Sequence, residues 1–159
     1  MAHGNSIATS CIGVRSFIDT NVLLYADSAD AADKQARATT LIADHLRSRE
    51  GVISTQVLHE FVNAAIRKLA LPLEIVRARV RLYMRFETVN ASPAAVLEAI
   101  DLHALHQISY WDALILQAAR QSGCAQLLTE DLQADAVIGG VRIVNPFGLA
   151  PKASGSRKR

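Results

Sequence analysis

One feature narrows the fold of this chain more than any other. Short apolar runs alternate with helical stretches of roughly ten residues or more, too long for hairpin connections. The runs are Arg15–Asp19 (RSFID), Val52-Ile53, Thr88-Val89, Gln126–Thr129 and Val141–Val144. Helical patterning covers about 30–49, with Gly51 as its stop, and then opens at Ser54 or Thr55 and continues to Leu69. It resumes from Pro72 to about Phe86, from Ser92-Pro93 to about His106, and from Ser109 to Gln121, where Gly123 suits a left-handed cap. Thr20-Asn21 are N-cap types for a helix beginning VLLYA, and Gly139-Gly140 is a turn before the last strand. Strands joined by crossover helices pair in parallel. The expected class is therefore α/β, a small parallel sheet covered on both faces as an α/β/α sandwich.

Half of the 159 residues are apolar and 20% are charged, enough for one domain with its own core. We expect a domain over 15–147, a weakly structured lead-in over 1–14 and a basic tail over 148–159. The net charge of +2 argues against a protein that works by bulk positive charge. Four of the seventeen basic residues lie in 152–159, so the body carries thirteen against fifteen acids. Cys11 and Cys124 form no CxxC and no disulfide framework. No apolar run approaches the ~20 residues of a membrane span, and the start lacks signal-peptide character. A cytoplasmic protein with no membrane partner is the simplest expectation.

In open parallel sheets, ligands bind outside the carboxyl ends of the strands. Asp19 ends the first strand and Asp131 follows the fourth. Glu60 lies early in the helix after the second strand, and Asp112 in the first turn of the helix capped by Ser109. Taken singly, Asp19 is readable as an N-cap, Asp112 as a helix-dipole carboxylate, and Glu60 as a partner of Arg67 or Lys68. Taken together, acids at matching points of one pattern point to a shared site. Carboxylates about 5 Å apart repel by about 3 kcal/mol per pair at an effective dielectric near 20. Such a group protonates or takes a cation, and hard oxygen ligands favour Mg²⁺, with Mn²⁺ as a substitute. Water made more acidic by the ion can then attack a phosphodiester.

The segments FIDTNVLLYA (17–26), STQVLHEFVNAA (54–65), SYWDALILQAA (109–119) and LLTEDLQ (127–133) resemble PIN-domain ribonucleases. Within that superfamily they are most similar to the VapC-type toxins of type II toxin–antitoxin systems. The resemblance spans roughly 15–147 and implies a metal-dependent endoribonuclease. It places the four family acids on Asp19, Glu60, Asp112 and Asp131. Asp19 and Asp112 are implied as the direct Mg²⁺ ligands and Glu60 as the group that orients or activates water. Thr20, Asn21 and Thr129 are implied to hold ligands and phosphate. Glu130 and Asp135 are neighbours that compete for the fourth role. A cognate antitoxin, an RNA substrate and a homodimer are the implied partners. An apolar excess at Leu23, Leu24, Tyr25 and Val57–Leu69 is a candidate contact surface for a second copy of the chain or an antitoxin segment.

Other features carry less. His59-Glu60 lacks the second His of a zinc-protease helix, because position 63 is Asn. His103 and His106 share a helix face without a third ligand. Arg77, Arg79, Arg81 and Arg85 read either as phosphate contacts or as a solvated face. The sequence opposes two rival readings. A receiver-like signalling domain wants adjacent acids after the first strand, an Asp after the third and a Lys after the last, and these are missing. A catalytically weak PIN scaffold acting through protein contacts is opposed by the four filled acid positions.

Overall fold

The computed structural model describes residues 13–148. The expected lead-in, Cys11 and the basic end of the tail lie outside them, apart from its first residue and the last residues of the lead-in. In chain order the elements are β1 (Ser16–Ile18), α1 (Thr20–Tyr25), α2 (Ala32–Ser48), β2 (Gly51–Ser54), α3 (Thr55–Arg67) and α4 (Leu73–Tyr83). They continue with β3 (Glu87–Val89), α5 (Pro93–His106), α6 (Tyr110–Gln121), β4 (Gln126–Leu128), β5 (Val137–Ile138) and β6 (Val141–Val144). No helix among them is long and apolar enough to cross a membrane.

The strands form one sheet in the order β3-β2-β1-β4-β6-β5. β1 pairs in parallel with β2 and β4, β2 with β3, and β4 with β6. The chain therefore builds outward from β1 to β2 and β3, then returns to the other side of β1 to lay down β4. Crossovers in such sheets are right-handed, so reversing direction moves the connecting helices to the opposite face. The helices divide accordingly: α1 packs with α2 and α3, α3 with α4, and α5 with α6. This is the expected three-layer α/β/α arrangement, and the crevice between β1 and β4 is its switch point.

Every residue of β1, β2 and β4 is buried, as strands covered on both faces require. Phe17, Ile53, Leu127 and Ile143 sit at the centre of the core. Ala113 to Ala119 of α6 are buried without a break, because this helix is covered by both the sheet and α5. Cys124 is buried, and burial pushes its thiol up to about 11.

Several local expectations change in the folded chain. The sheet is not wholly parallel: β5 runs antiparallel to β6 at one edge, around Gly139-Gly140, which both take positive φ. A strand of two residues gives no periodic signal to read. The cap of α1 is Asp19 rather than Thr20 or Asn21, which are the first helical residues. Helix α2 ends with Arg49 in the left-handed region, upstream of Gly51. Gly51 serves a different purpose, since a Cβ there would lie 2.6 Å from the Phe86 ring. Leu23 belongs to the core, and Leu24 packs against it. On α3, within the expected contact surface, Ile66 is exposed, and further outward apolar side chains stand on α5, at Leu97, Ile100 and Leu105, and at Trp111. Ser92 and Ser109 cap α5 and α6 as expected, accepting from Ala95 N and Asp112 N.

The close approach at Gly51 predicts a steric cost. Gly51→Ala should lower unfolding stability by about 1–3 kcal/mol, the usual range for overpacking. Phe86→Leu in the same background should recover part of that loss. Denaturant titration of the single and double variants measures the coupling; additive effects would show that the ring does not set the constraint.

Candidate active site

The switch point brings Asp19 and Thr129 together because each directly follows a central strand. Asp19 N donates to Leu128 O at 3.1 Å, and Thr129 N to Val144 O at 3.0 Å. These bonds hold both residues at the carboxyl edge. The Asp19 carboxylate is buried, at 4% exposure. Its Oδ1 accepts from Thr20 N at 2.6 Å, and its Oδ2 accepts from Thr129 Oγ1 at 2.7 Å. Burial pushes its pKa up to about 7 despite these bonds, with the charges of Asp131 and Glu60 adding to the rise.

Asn21 spans the crevice. Its Nδ2 donates to Asp131 Oδ2 at 2.9 Å, Thr129 Oγ1 at 3.3 Å and Asp19 Oδ2 at 3.4 Å. Its Oδ1 is buried without a partner. Thr129 Oγ1 also accepts from Asp131 N at 3.1 Å, fixing the turn after β4. Glu60 joins from α3, where Thr20 Oγ1 donates to Oε2 at 2.8 Å and Gln56 Nε2 to Oε1 at 2.7 Å.

Asp112 stands apart in its bonding. Its Oδ2 accepts from Ser109 Oγ at 2.6 Å, so the residue capping α6 also holds this carboxylate. Burial raises its pKa, and Asp131 and Glu60 are close enough to raise it further. The structure thus links Asp19, Thr20, Asn21, Glu60, Thr129 and Asp131 by direct hydrogen bonds, and Asp112 faces them through space. Glu130 and Asp135 are turned elsewhere. Glu130 pairs with Lys34 at 2.7 Å and accepts from the Tyr25 hydroxyl. Asp135 pairs with Arg142 at 2.9 Å.

None of the ion pairs among the described residues involves the four carboxylates. Arg79 makes a bidentate pair with Asp27, and Arg15 pairs with Glu87. Arg77 and Arg81 are exposed on α4 and Arg85 is exposed in the turn after it, so only Arg79 of that basic run turns inward. Each carboxylate is held by neutral donors: Thr, Asn, Gln, Ser and backbone N–H. No three His, Cys, Asp or Glu side chains among the described residues stand at ligand spacing around one point. In donor type, charge and the unpaired Asn21 oxygen, the set fits a hard dication. Imidazole and thiolate are absent from it.

Sequence reasoning did not single out Gln56, though its signal is present. It lies four residues before Glu60, one turn away on the same helix face. Ser109 was legible as a cap but not as the donor to Asp112.

The PIN domain family profile matches residues 16–139. The chain belongs to the PIN-domain family. A search of curated protein sequences finds no match. Among solved structures, the chain is similar to VapC20 of Mycobacterium tuberculosis, described as a sarcin–ricin loop cleaving toxin. The two are 20% identical with a TM-score of 0.60, over 70% of this chain and 86% of that one. A chain of a toxin–antitoxin complex from Klebsiella pneumoniae is 22% identical with a TM-score of 0.61, over 84% and 99%. A chain of DNA-bound VapBC from Salmonella typhimurium is 19% identical with a TM-score of 0.58, over 82% and 96%.

Burial of Asp19 has a consequence for stability. The folded carboxyl titrates at about 7, against 3.8 for the free side chain. Between those values the folded state retains a proton that the unfolded state has released. Stability is therefore full below that window and falls as pH rises through it. In EDTA, Asp19→Asn should melt higher than the parent at pH 8, by on the order of 5 °C. The gap should close toward the acid end of the window. Melting curves across pH test this; a gap that does not vary with pH would show that charge burial is not its cause.

Proposed function

We propose that this PIN-domain protein is a Mg²⁺-dependent endoribonuclease of the VapC toxin type, with Mn²⁺ able to substitute. The observation that carries the reading is the carboxylate group at the switch point: four acids from four segments, with no Lys or Arg among the described residues paired to them. Asp19 and Asp112 would hold the cation, with Asp131 as a further oxygen donor. Asn21 and Thr129 fix the Asp19 and Asp131 carboxylates in place. When bound, Mg²⁺ supplies positive charge at the scissile phosphate and lowers the pKa of water.

Glu60 is the acid placed to orient the attacking water and take its proton. Thr20 and Gln56 hold its two oxygens, so the carboxylate has a set direction. In-line attack at phosphorus breaks the bond to the 3′ oxygen, which takes up a proton as it leaves. The products carry 5′-phosphate and 3′-hydroxyl ends. Thr20 and Asn21 lie beside Asp131 and Lys68 in a cleft of about 510 Å³, which gives the RNA strand a path past the carboxylates. We extend the proposal to the partners of a VapC toxin, a protein antitoxin and a second copy of the chain. The toxin–antitoxin complexes among its structural relatives support this.

The test is cleavage of single-stranded RNA by the full chain purified free of any partner. Activity should require Mg²⁺ or Mn²⁺ and stop in EDTA. Asp112→Asn and Glu60→Gln should each lower kcat by roughly a hundredfold or more, with the fold retained by circular dichroism. Parent-like cleavage by Asp112→Asn would falsify the site assignment. Dication binding by the parent without cleavage of any RNA would favour a scaffold that acts through protein contacts.

A further inference from the structure

A second cleft opens on the other side of Glu60. It measures about 620 Å³, and α3 supplies Gln56, His59, Glu60 and Asn63 to one wall. The first turn of α6 supplies Trp111, and Leu114 lies one turn deeper. The floor is apolar, while Gln56, His59 and Asn63 give the rim amide and imidazole groups. Glu60 and Asn63 belong to both this cleft and the polar one that holds Lys68 and Asp131. The shared Glu60 makes the two clefts neighbours across the carboxylates.

Trp111 is the chain's one tryptophan, and it is 62% exposed. Exposing a large indole forgoes a substantial burial energy, so its position calls for a reason. The side chain is not loose. Tyr110 packs edge-on against it with ring centroids 5.5 Å apart, and its backbone carbonyl accepts from Gln56 Nε2 at 3.4 Å. Gln56 is the same residue that holds Glu60. The backbone of Trp111 is thus tied to the Glu60 carboxylate through Gln56, and Asp112 follows it directly in the chain.

We propose that Trp111 is a base-stacking residue that takes a nucleobase of single-stranded RNA beside the scissile phosphate. This rests on the nuclease reading above. A nucleobase suits the cleft in shape and polarity: a flat π face for the indole and polar edges for Gln56, His59 and Asn63. The neighbouring cleft suits what is attached to the base, because Lys68 offers positive charge along the path of the phosphates. Stacking on an aromatic side chain tolerates any base while fixing its height. It sets where the phosphate lies relative to Asp112 and Glu60. Trp111 would therefore select for unpaired nucleotides, whose bases are free to leave a helix.

Because Trp111 is the sole tryptophan, its own fluorescence reads the contact. The full chain is titrated in Ca²⁺ with an oligoadenylate and with an abasic strand of equal length. Oligoadenylate should quench the emission saturably; the abasic strand should bind more weakly and leave emission nearly unchanged. On single-stranded RNA with Mg²⁺, Trp111→Ala should lose roughly tenfold to a hundredfold in kcat/KM, chiefly through KM. Trp111→Phe, which keeps a π face, should recover most of it. Equal quenching by both strands, or no quenching, overturns the proposal. So does parent-like kcat/KM in Trp111→Ala, which would leave the indole to a protein partner. Failure of the nuclease reading is distinct: the parent then cleaves no RNA with Mg²⁺ or Mn²⁺, while the titration, which needs no cleavage, still decides the stacking.

Discussion

The buried carboxylate of Asp19 is the constraint around which the rest of this structure is arranged. An acid at the junction of β1 and β4 is costly to ionise, because burial removes most of its water. The fold meets that cost only in part, chiefly with one backbone N–H from the start of α1 and one hydroxyl from Thr129, and with a longer bond from Asn21. The two shorter bonds exist because of topology. β1 and β4 are neighbours only because the chain reverses direction across the sheet, and the reversal places the residue after each strand in the same crevice. The Asp19 cap, the Asn21 bridge and the turn to Asp131 all follow from that adjacency.

The distribution of charge fits the same constraint. Two basic side chains near the crevice are committed to other acids, Lys34 to Glu130 and Arg79 to Asp27. Neutral donors hold the four candidate acids. A Lys or Arg paired with Asp19 would lower its pKa and stabilise the fold, but it would fill the place of the proposed cation. Thr, Asn, Gln and Ser position the carboxylates without neutralising them. The net charge of +2 then says little about nucleic acid, since positive charge at the phosphate need not come from the polypeptide.

Much of this was legible in the sequence where the signal is local. Ser92-Pro93 and Ser109 marked their helices because capping is decided within one turn. Gly123 was legible for the same reason, its left-handed φ being a local need. The α/β class followed from connection lengths alone. The misreadings share a different cause. Gly51 looked like a helix stop, but its role comes from Phe86, thirty-five residues away. Thr20 and Asn21 looked like caps because their side chains suit the task. The helix begins at Asp19 because β1 stops there, and Thr20 and Asn21 are then free to reach Glu60 and Asp131. The acids themselves were readable as a set, but which neutral residue holds which oxygen depends on sheet order.

Trp111 shows how one local choice serves two levels of structure. Ser109 caps α6, and the cap fixes the register of the first turn. That register puts Trp111 and Asp112 on adjacent helical positions about 100° apart, so they face different ways. One side chain looks into the apolar cleft and the other is held by Ser109 near the remaining acids. Moving the cap by one residue would rotate both and separate the indole from the cleft. A serine that stabilises a helix by about 1 kcal/mol is thus also the residue that sets the relation between the proposed stacking surface and a charged one. The same economy explains Gln56, one amide that orients Glu60 and steadies the backbone of Trp111 from the facing helix.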